Sequence, residues 1–366
     1  MRINLRSKYI VGEIVLFTIM WMVIMHMYFL IAFWGIREYF HEPAIVELFE
    51  NYFGFRDIFL HSFTFGFLFS IINVIIDRSK LRSKSIGKII LIKTILYLFA
   101  ASVADTLVIL INSGFDLESF KRSGDLFMNE IPTSFFISIG CYYMFFILMF
   151  NLFYQVNRKI GPGVLLNSIL GKYNQPRNED LIFMFLDLKN STGIAEKLEH
   201  KNYSLFLKDC FSDLTNPIYN YAANVYQYVG DEVVLTWTLK KGLKSLNCFR
   251  LFFDFKKMLH ARKSYYLDTY GIYPEFKAGM DFGEITVTEV GEIRRDLAYH
   301  GDVLNTAARI EKLCKPLRKE LLITEYLEQE LSGLNGYYKK FVNELRLEGR
   351  DKTIKIYSIE EKLNNS

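Results

Sequence analysis

Hydrophobic and polar positions divide the chain into two unlike halves. Up to residue 156 the pattern is one of long apolar runs separated by short charged stretches. The runs are Ile10–Trp34, broken only by Glu13 and His26; Ile58–Ile76, carrying His61; Ile89–Ile111, carrying Lys93 and Asp105; and Ile131–Val156, without a charge. A hydrocarbon core of about 30 Å needs roughly 20 apolar residues at about 1.5 Å per residue, and each run is close to that length. The first is too long to be the apolar stretch of a signal peptide. The pattern predicts a four-helix transmembrane domain over 1–156, with helices at about 10–34, 58–76, 89–111 and 131–156.

Past residue 180 charges become frequent, and short apolar runs alternate with helical spacing, an α+β signal. Leu181–Leu186 reads as a buried strand and Ser191–Phe211 as a helix. Val225–Tyr228 and Glu232–Trp237 read as a hairpin about Gly230-Asp231, and Lys244–Tyr270 as one long helix. Phe276–Met280 and Glu284–Val290 follow as two strands, then Asp302–Lys315 as a helix. Between the halves, 157–180 holds Gly161, Pro162, Gly163, Gly171 and Pro176, so it reads as a coupling segment with at most a short helix over Val164–Leu170.

Composition fits that division. Hydrophobic residues make up 51% of the 366 and charged residues 23%. With a mean hydropathy of +0.13, this excludes a disordered or collagen-like chain and exceeds what one soluble core needs. Cys141, Cys210, Cys248 and Cys314 lie far apart with no C-x-x-C spacing, which excludes a disulfide framework and a zinc site. The net charge of +4 is modest, and its basic residues collect at the edges of apolar runs, so no nucleic-acid partner is expected. Arg2, Arg6 and Lys8 precede the first run, and Arg78, Lys80, Arg82, Lys84 and Lys88 lie between the second and third. Such clusters stay on the cytoplasmic side, which places the chain in the inner cell membrane, in contact with the lipid bilayer, with both termini and the second half in the cytoplasm.

Two aspartates stand where chemistry would want them. Asp187 closes the first strand and Asp231 sits at the hairpin tip, both beside strongly apolar sequence. Carboxylates brought together by adjacent strands can hold Mg²⁺, whose other ligands are water and substrate phosphate. From spacing alone the alternative stays open that Asp187 caps the following helix and Asp231 is a turn residue. Downstream, GDVLNTAAR places Asn305 and Arg309 on one helix face, where an amide and a guanidinium can orient a ribose and stabilise phosphoryl charge.

With FLDLKNSTGIAEKL (185–198), YQYVGDEVVLTW (226–237), AGMDFGEITVTEVG (278–291) and AYHGDVLNTAARIEKL (298–313), the second half resembles the class III nucleotide cyclase catalytic domain over roughly 181–358. The resemblance implies a ferredoxin-like βαββαβ core within a catalytic domain at 181–366. It implies a homodimer, joined through the catalytic domain and the membrane helices, with each site shared between two chains. Asp187 and Asp231, with the Leu188 backbone carbonyl, would hold two Mg²⁺ or Mn²⁺; Asn305 would orient the ribose and Arg309 stabilise the transition state. Arg350 is the nearest counterpart of the family's phosphate-binding lysine. The base-reading positions depart from the family: Gln227 stands where adenylate cyclases usually carry Lys, and Ala298 where they carry Asp or Thr. A Gln amide can donate to adenine N1 or accept from guanine N1–H, so its chemistry does not choose between them. Family frequencies favour ATP.

Three functions follow from different classes. The first is a membrane-anchored homodimeric adenylate cyclase regulated through its helices, with guanylate cyclase as the alternative. The second is a catalytically inactive nucleotide-binding receptor, against which the four matching site residues count. The third is a channel or transporter, which would need more intramembrane polar residues. In the membrane half His26 and Asp105 fall roughly 9–12 Å below the outer surface at ~1.5 Å per residue. His61 is near in depth, so the three form a candidate polar cluster, open to an unknown ligand, a metal, haem or protonation, or else to interfacial hydrogen bonds alone. Lys93, near the inner end, is expected to snorkel to the headgroups.

Overall fold

The computed structural model describes residues 5–39, 54–79, 84–121, 133–160, 167–168, 170–293, 295–346 and 353–362. The chain divides into two compact units, Met1–Pro162 and Gly163–Ser366.

The first unit contains α1 (Leu5–Tyr39), α2 (Phe55–Arg78), α3 (Ile86–Asn112) and α4 (Thr133–Ile160). Each is long and apolar enough to cross a membrane, over Ile10–Ala32, Phe55–Ile76, Gly87–Asn112 and Ile137–Val156. Aromatic residues at three- and four-residue intervals form the interior: Phe17, Trp21 and Met25 of α1, Phe65 and Phe69 of α2, Tyr97 of α3, Tyr143 and Ile147 of α4. Trp21 meets Phe65 edge-on with ring centroids 4.9 Å apart. A side chain at Gly66 would lie 3.0 Å from the Thr18 backbone, so glycine is what lets α1 and α2 approach here. The outward faces carry Leu16, Ile31, Leu91, Phe99 and Ile137, an inside-out pattern suited to lipid.

The second unit contains β1 (Arg177–Leu188), α5 (Ser191–Asn220), β2 (Asn224–Val229), β3 (Glu232–Thr238), α6 (Leu239–Leu243), α7 (Asn247–Ala261), α8 (Lys263–Tyr270), β4 (Phe276–Val290), β5 (Asp296–His300), α9 (Asp302–Leu313), β6 (Leu321–Thr324), α10 (Glu325–Gln329), β7 (Tyr337–Arg346) and β8 (Thr353–Glu361). The sheet runs β2-β3-β1-β4-β6-β8-β7, with β5 also paired to β4. Pairing is antiparallel except between β4 and β6. The β4-β1-β3-β2 half, with α5 and then α7–α8 as its crossovers, is the ferredoxin-like βαββαβ arrangement.

Both faces of β1 are covered, which is why residues 181–186 read as an unbroken apolar run. Ile182, Met184, Leu186 and Leu188 pack with Phe206 and Leu214 of α5 and Phe249, Phe252 and Phe255 of α7. Leu181, Phe183 and Phe185 pack on the other face with Ile285 and Val287 of β4 and Val303 and Ala307 of α9. A Cβ at Gly279 of β4 would lie 2.3 Å from the Glu311 nitrogen and 2.6 Å from the Ala307 oxygen, so bare glycine seats α9 directly on the sheet.

Three elements differ from the sequence reading. The stretch Lys244–Tyr270 is a 3₁₀ turn followed by α7 and α8, broken at Arg262 (φ −103°, ψ 17°). The two strands predicted over 276–290 are one strand, because Asp281 is buried and accepts a hydrogen bond from Thr324 Oγ1 at 2.5 Å. The helix from Ser191 kinks at Glu199 (φ 58°, ψ 165°), and a second helical stretch runs on past Phe211 to Asn220. Of the short helix predicted over Val164–Leu170, residues 164–166 and 169 lie outside the described residues.

Candidate functional site

Three strands and one helix converge on Asp187. At the end of β1 it pairs in register with Glu232 of β3 and Lys277 of β4. Asp231 is in the β2–β3 turn, where Gly230 at φ +60° supplies the left-handed step that lets Val229 pair with Glu232. The two aspartates lie within hydrogen-bonding reach of each other. Burial raises the Asp187 carboxyl above the usual range; Lys277 opposes the rise and Asp231 adds to it. The Lys277 ammonium donates to Asp187 Oδ2 at 2.9 Å and also pairs with Glu311, which projects from the buried side of α9. Burial pulls the Lys277 pKa down, but its two carboxylate partners outweigh that and hold it above the usual lysine value. Glu232 is pushed up to about 7, first by burial and then by Asp187, Glu311 and Asp231. Tyr203 of α5 is pushed up to about 12 by burial and by the two aspartates.

This donor set fits a divalent cation. Two hard carboxylates share a half-buried pocket, repel each other, and already draw in a lysine as counter-ion. Among the described residues no three His, Cys, Asp or Glu side chains gather as a complete metal cage. An ion here would therefore complete its shell from water, substrate and backbone oxygen, for which the Leu188 carbonyl is next along the strand.

Asn305 and Arg309 sit on exposed positions of α9. At about 100° per residue Arg309 is nearly opposite Glu311 on the helix, so the face that reaches Lys277 is not the face that carries Arg309. Within one chain the fold gathers Asp187 and Asp231, while Asn305 and Arg309 share an exposed face of α9 distinct from the one that carries Glu311. Gln227 is exposed on β2, just past a bulge between Val225 and Gln227, and Ala298 is half-buried on β5. Their neighbours Tyr226 and Tyr299 stack edge-on with centroids 4.6 Å apart, so the two strands meet. Arg350 lies outside the described residues.

Residues 173–361 match the model of the adenylate and guanylate cyclase catalytic domain, over half of the chain. The chain belongs to this family. It is 29% identical over 205 residues to adenylate cyclase 2 of Rhizobium meliloti strain 1021, covering 56% of each. It is 24% identical over 204 residues to an adenylate cyclase of Anabaena cylindrica, covering 55% of this chain and 40% of that one. The chain thus spans about half the length, or less, of these relatives. Two solved structures of a bacterial light-regulated adenylyl cyclase share its fold. At 20% and 19% identity they give TM-scores of 0.51 and 0.53, covering 60% and 62% of this chain and 64% and 67% of theirs.

The cyclase domain's sequence reading missed Lys277, Glu311, Glu232 and Tyr203. Glu232 had a signal, since it directly follows Asp231; the others are brought in by strand register and helix seating. In the membrane half His61 Nδ1 pairs with Asp105 Oδ1 at 2.9 Å, and its Nε2 meets the Tyr143 hydroxyl. His26 is not brought to them: its Nδ1 donates to the Met22 carbonyl at 2.7 Å and its ring lies against Phe55. Lys93 corrects the snorkelling expectation. It is fully buried, donates to Asn73 Oδ1 at 2.6 Å and lies over the Tyr154 ring, because neighbouring helices offer polar partners nearer than the headgroups.

Proposed function

We propose that the chain is a membrane-anchored homodimeric adenylate cyclase that converts ATP to 3′,5′-cyclic AMP and pyrophosphate, regulated through its four helices. One observation carries the reading: the carboxylate pair and the Asn/Arg pair are both present, and Arg309 is on the face of α9 away from Glu311, which reaches Lys277 and through it Asp187, an arrangement that suits a site assembled from two copies. The cyclase domain would lie at 181–366 after a coupling segment at 157–180. Both termini would be cytoplasmic, with the helices in the inner membrane.

In this reading Asp187, Asp231 and the Leu188 carbonyl would hold two Mg²⁺ or Mn²⁺ ions, which would lower the pKa of the 3′-hydroxyl and neutralise the triphosphate. Asn305 of the second copy orients the ribose so that the 3′-oxygen lies in line with the α-phosphorus. The O3′–P bond forms, the bond to the β-phosphate bridging oxygen breaks, pyrophosphate leaves and the hydroxyl proton passes to solvent. Arg309 stabilises the charge that builds on the phosphoryl oxygens in between. Arg350 belongs with the pyrophosphate end. Gln227 donates its amide to adenine N1 across from the small Ala298. Its ability to accept from guanine N1–H makes guanylate cyclase the second reading.

The test offers ATP and GTP separately to the detergent-purified chain with Mg²⁺ or Mn²⁺. Cyclic AMP in excess of cyclic GMP is expected. Asp231→Asn should remove nearly all turnover, because a neutral amide holds a divalent ion poorly against water, while melting as wild type does. Substantial turnover in that variant, or none in wild type, would overturn the proposal; the latter would leave a nucleotide-binding receptor.

A further inference from the structure

We infer that Tyr173, in the segment between α4 and β1, is a positioning residue for the nucleotide side of the site, through which that segment sets turnover. The inference rests on the cyclase reading above. Tyr173 is 8% exposed and belongs to the cluster between the sheet and α9, together with Phe183, Phe185, Ile285, Val303 and Ala307. Tyr226, Tyr299, Leu304 and Ala308 pack against the same cluster. Each of these four is the chain neighbour of a residue assigned to the nucleotide: Tyr226 precedes Gln227, Tyr299 follows Ala298, Leu304 precedes Asn305 and Ala308 precedes Arg309. One packed layer therefore underlies all four, and Tyr173 is a component of it that comes from outside the strands and helices carrying them.

Tyr173 is held at both ends. Its carbonyl accepts from the Glu289 amide of β4 at 3.0 Å. Its hydroxyl donates to Glu179 Oε1 at 3.0 Å, and Lys172 donates to the same oxygen at 2.8 Å and to the hydroxyl at 2.7 Å. Just before it the chain turns at Gly171, φ +64°, with the Gly171 amide bonded to the Ser168 carbonyl at 3.0 Å. A pull on this turn is delivered to the ring, and close-packed interiors pass such shifts on rather than absorb them. The metal-side carboxylates are tied down separately: Asp187 lies roughly 7 Å along β1 beyond Phe185 at about 3.3 Å per residue, and Lys277 holds it.

The experiment compares full-length wild type, Tyr173→Ala and Tyr173→Phe in detergent for kcat, KM and ATP/GTP preference, for Mn²⁺ affinity by calorimetry, and for melting temperature. A displacement near 1 Å costs up to about a hundredfold, so Tyr173→Ala should lower kcat at least about tenfold and change the ATP/GTP ratio. Its Mn²⁺ affinity should fall by a smaller factor than kcat, because Asp187 and Lys277 are fixed to each other by the β1/β4 register rather than by this layer. Tyr173→Phe keeps the ring and should recover most of the loss. A purely packing role predicts lower melting with kcat per folded molecule and ATP/GTP ratio unchanged, and that result overturns the inference. Should Tyr173→Ala fail to fold, Gly171→Ala decides: it strains the turn and leaves the core side chains, so a kcat loss of a few fold supports the inference and wild-type turnover sinks it. Wild type inactive with both nucleotides would sink the cyclase reading; an active wild type with unresponsive variants would sink this inference alone.

Discussion

Gly279→Ala tests how far catalysis depends on the seating of α9. The added Cβ would lie 2.3 Å from the Glu311 nitrogen, 2.6 Å from the Ala307 oxygen and 2.7 Å from the Glu311 Cα. All three are backbone atoms of α9, so no rotamer change relieves them. Comfortable carbon contacts begin near 3.5 Å, so α9 has to retreat by about 1 Å. That retreat carries Asn305 and Arg309 on one side and Glu311, the anchor of Lys277, on the other. A misplacement of this size costs roughly a hundredfold in rate, and the overpacking about 1–3 kcal/mol of stability. The assay is cyclic AMP formation by the full chain with a melting curve on the same sample. Gly283→Ala is the internal control, since its Cβ would meet only the Val303 methyl, at 3.0 Å, and needs a shift of a few tenths of an ångström. Its loss should be no more than about fivefold. Wild-type turnover in Gly279→Ala, or equal losses in both variants, would refute the reasoning from contact to catalysis.

The remaining expectations probe the other parts of the site. Asp187→Asn and Arg309→Ala, each inactive alone, should regain activity when co-expressed, because one of the two shared sites is then whole; proven heterodimers without activity would remove the shared site. Gln227→Lys should sharpen the preference for ATP, since an ammonium donates to adenine N1 and repels the guanine N1–H, and an unchanged ATP/GTP ratio would place residue 227 outside the pocket. Asp105→Asn and His61→Ala should alter basal activity or its response to pH, because each opens the His61–Asp105–Tyr143 chain. Parity of both with wild type across pH would make the four helices a plain anchor, and a Soret band would restore haem as their ligand.

The parts of the molecule legible in the sequence are those whose chemistry is local. Asp231 declares itself because a hairpin turn needs Gly230 before it, and Asn305 and Arg309 because a helix puts residues four apart on one face. Lys277 and Glu311 are silent by the same standard. Their meeting depends on the β1/β4 register and on the missing side chain of Gly279, neither of which leaves a periodic trace. The break at Arg262 was hidden because apolar spacing continues through it; its guanidinium bonds Asp213 at 2.5 Å, a tertiary contact. Asp281 misled in the opposite direction: a charged residue inside a strand pattern reads as a boundary unless a buried partner is known, and here that partner is Thr324 of β6.

The membrane half makes the same point about polar groups in lipid and adds a mechanical one. Near the end where the chain enters, Lys93 of α3 bonds Asn73 of α2 and lies over Tyr154 of α4, whose hydroxyl donates to Glu13 of α1 at 2.9 Å. At the opposite end His61 of α2 joins Asp105 of α3 to Tyr143 of α4. Between them lies the interlocked layer of Phe17, Trp21, Phe65 and Phe69. Polar ties of this kind are worth about 0.6–2 kcal/mol each in a bilayer, enough together to fix the register of helices that gain nothing from burying leucine. Helices pinned at both ends and filled by aromatic rings do not slide past one another easily; they tilt or rotate as packed units. Helices α2, α3 and α4 take part in both ties, and of these α4, through Tyr143 and Tyr154, is the one the chain follows toward Tyr173. If the helices regulate turnover, as proposed above, a signal that makes or breaks either tie would reach α4 together with α2 and α3, and α4 is the helix from which residues 157–180 lead on.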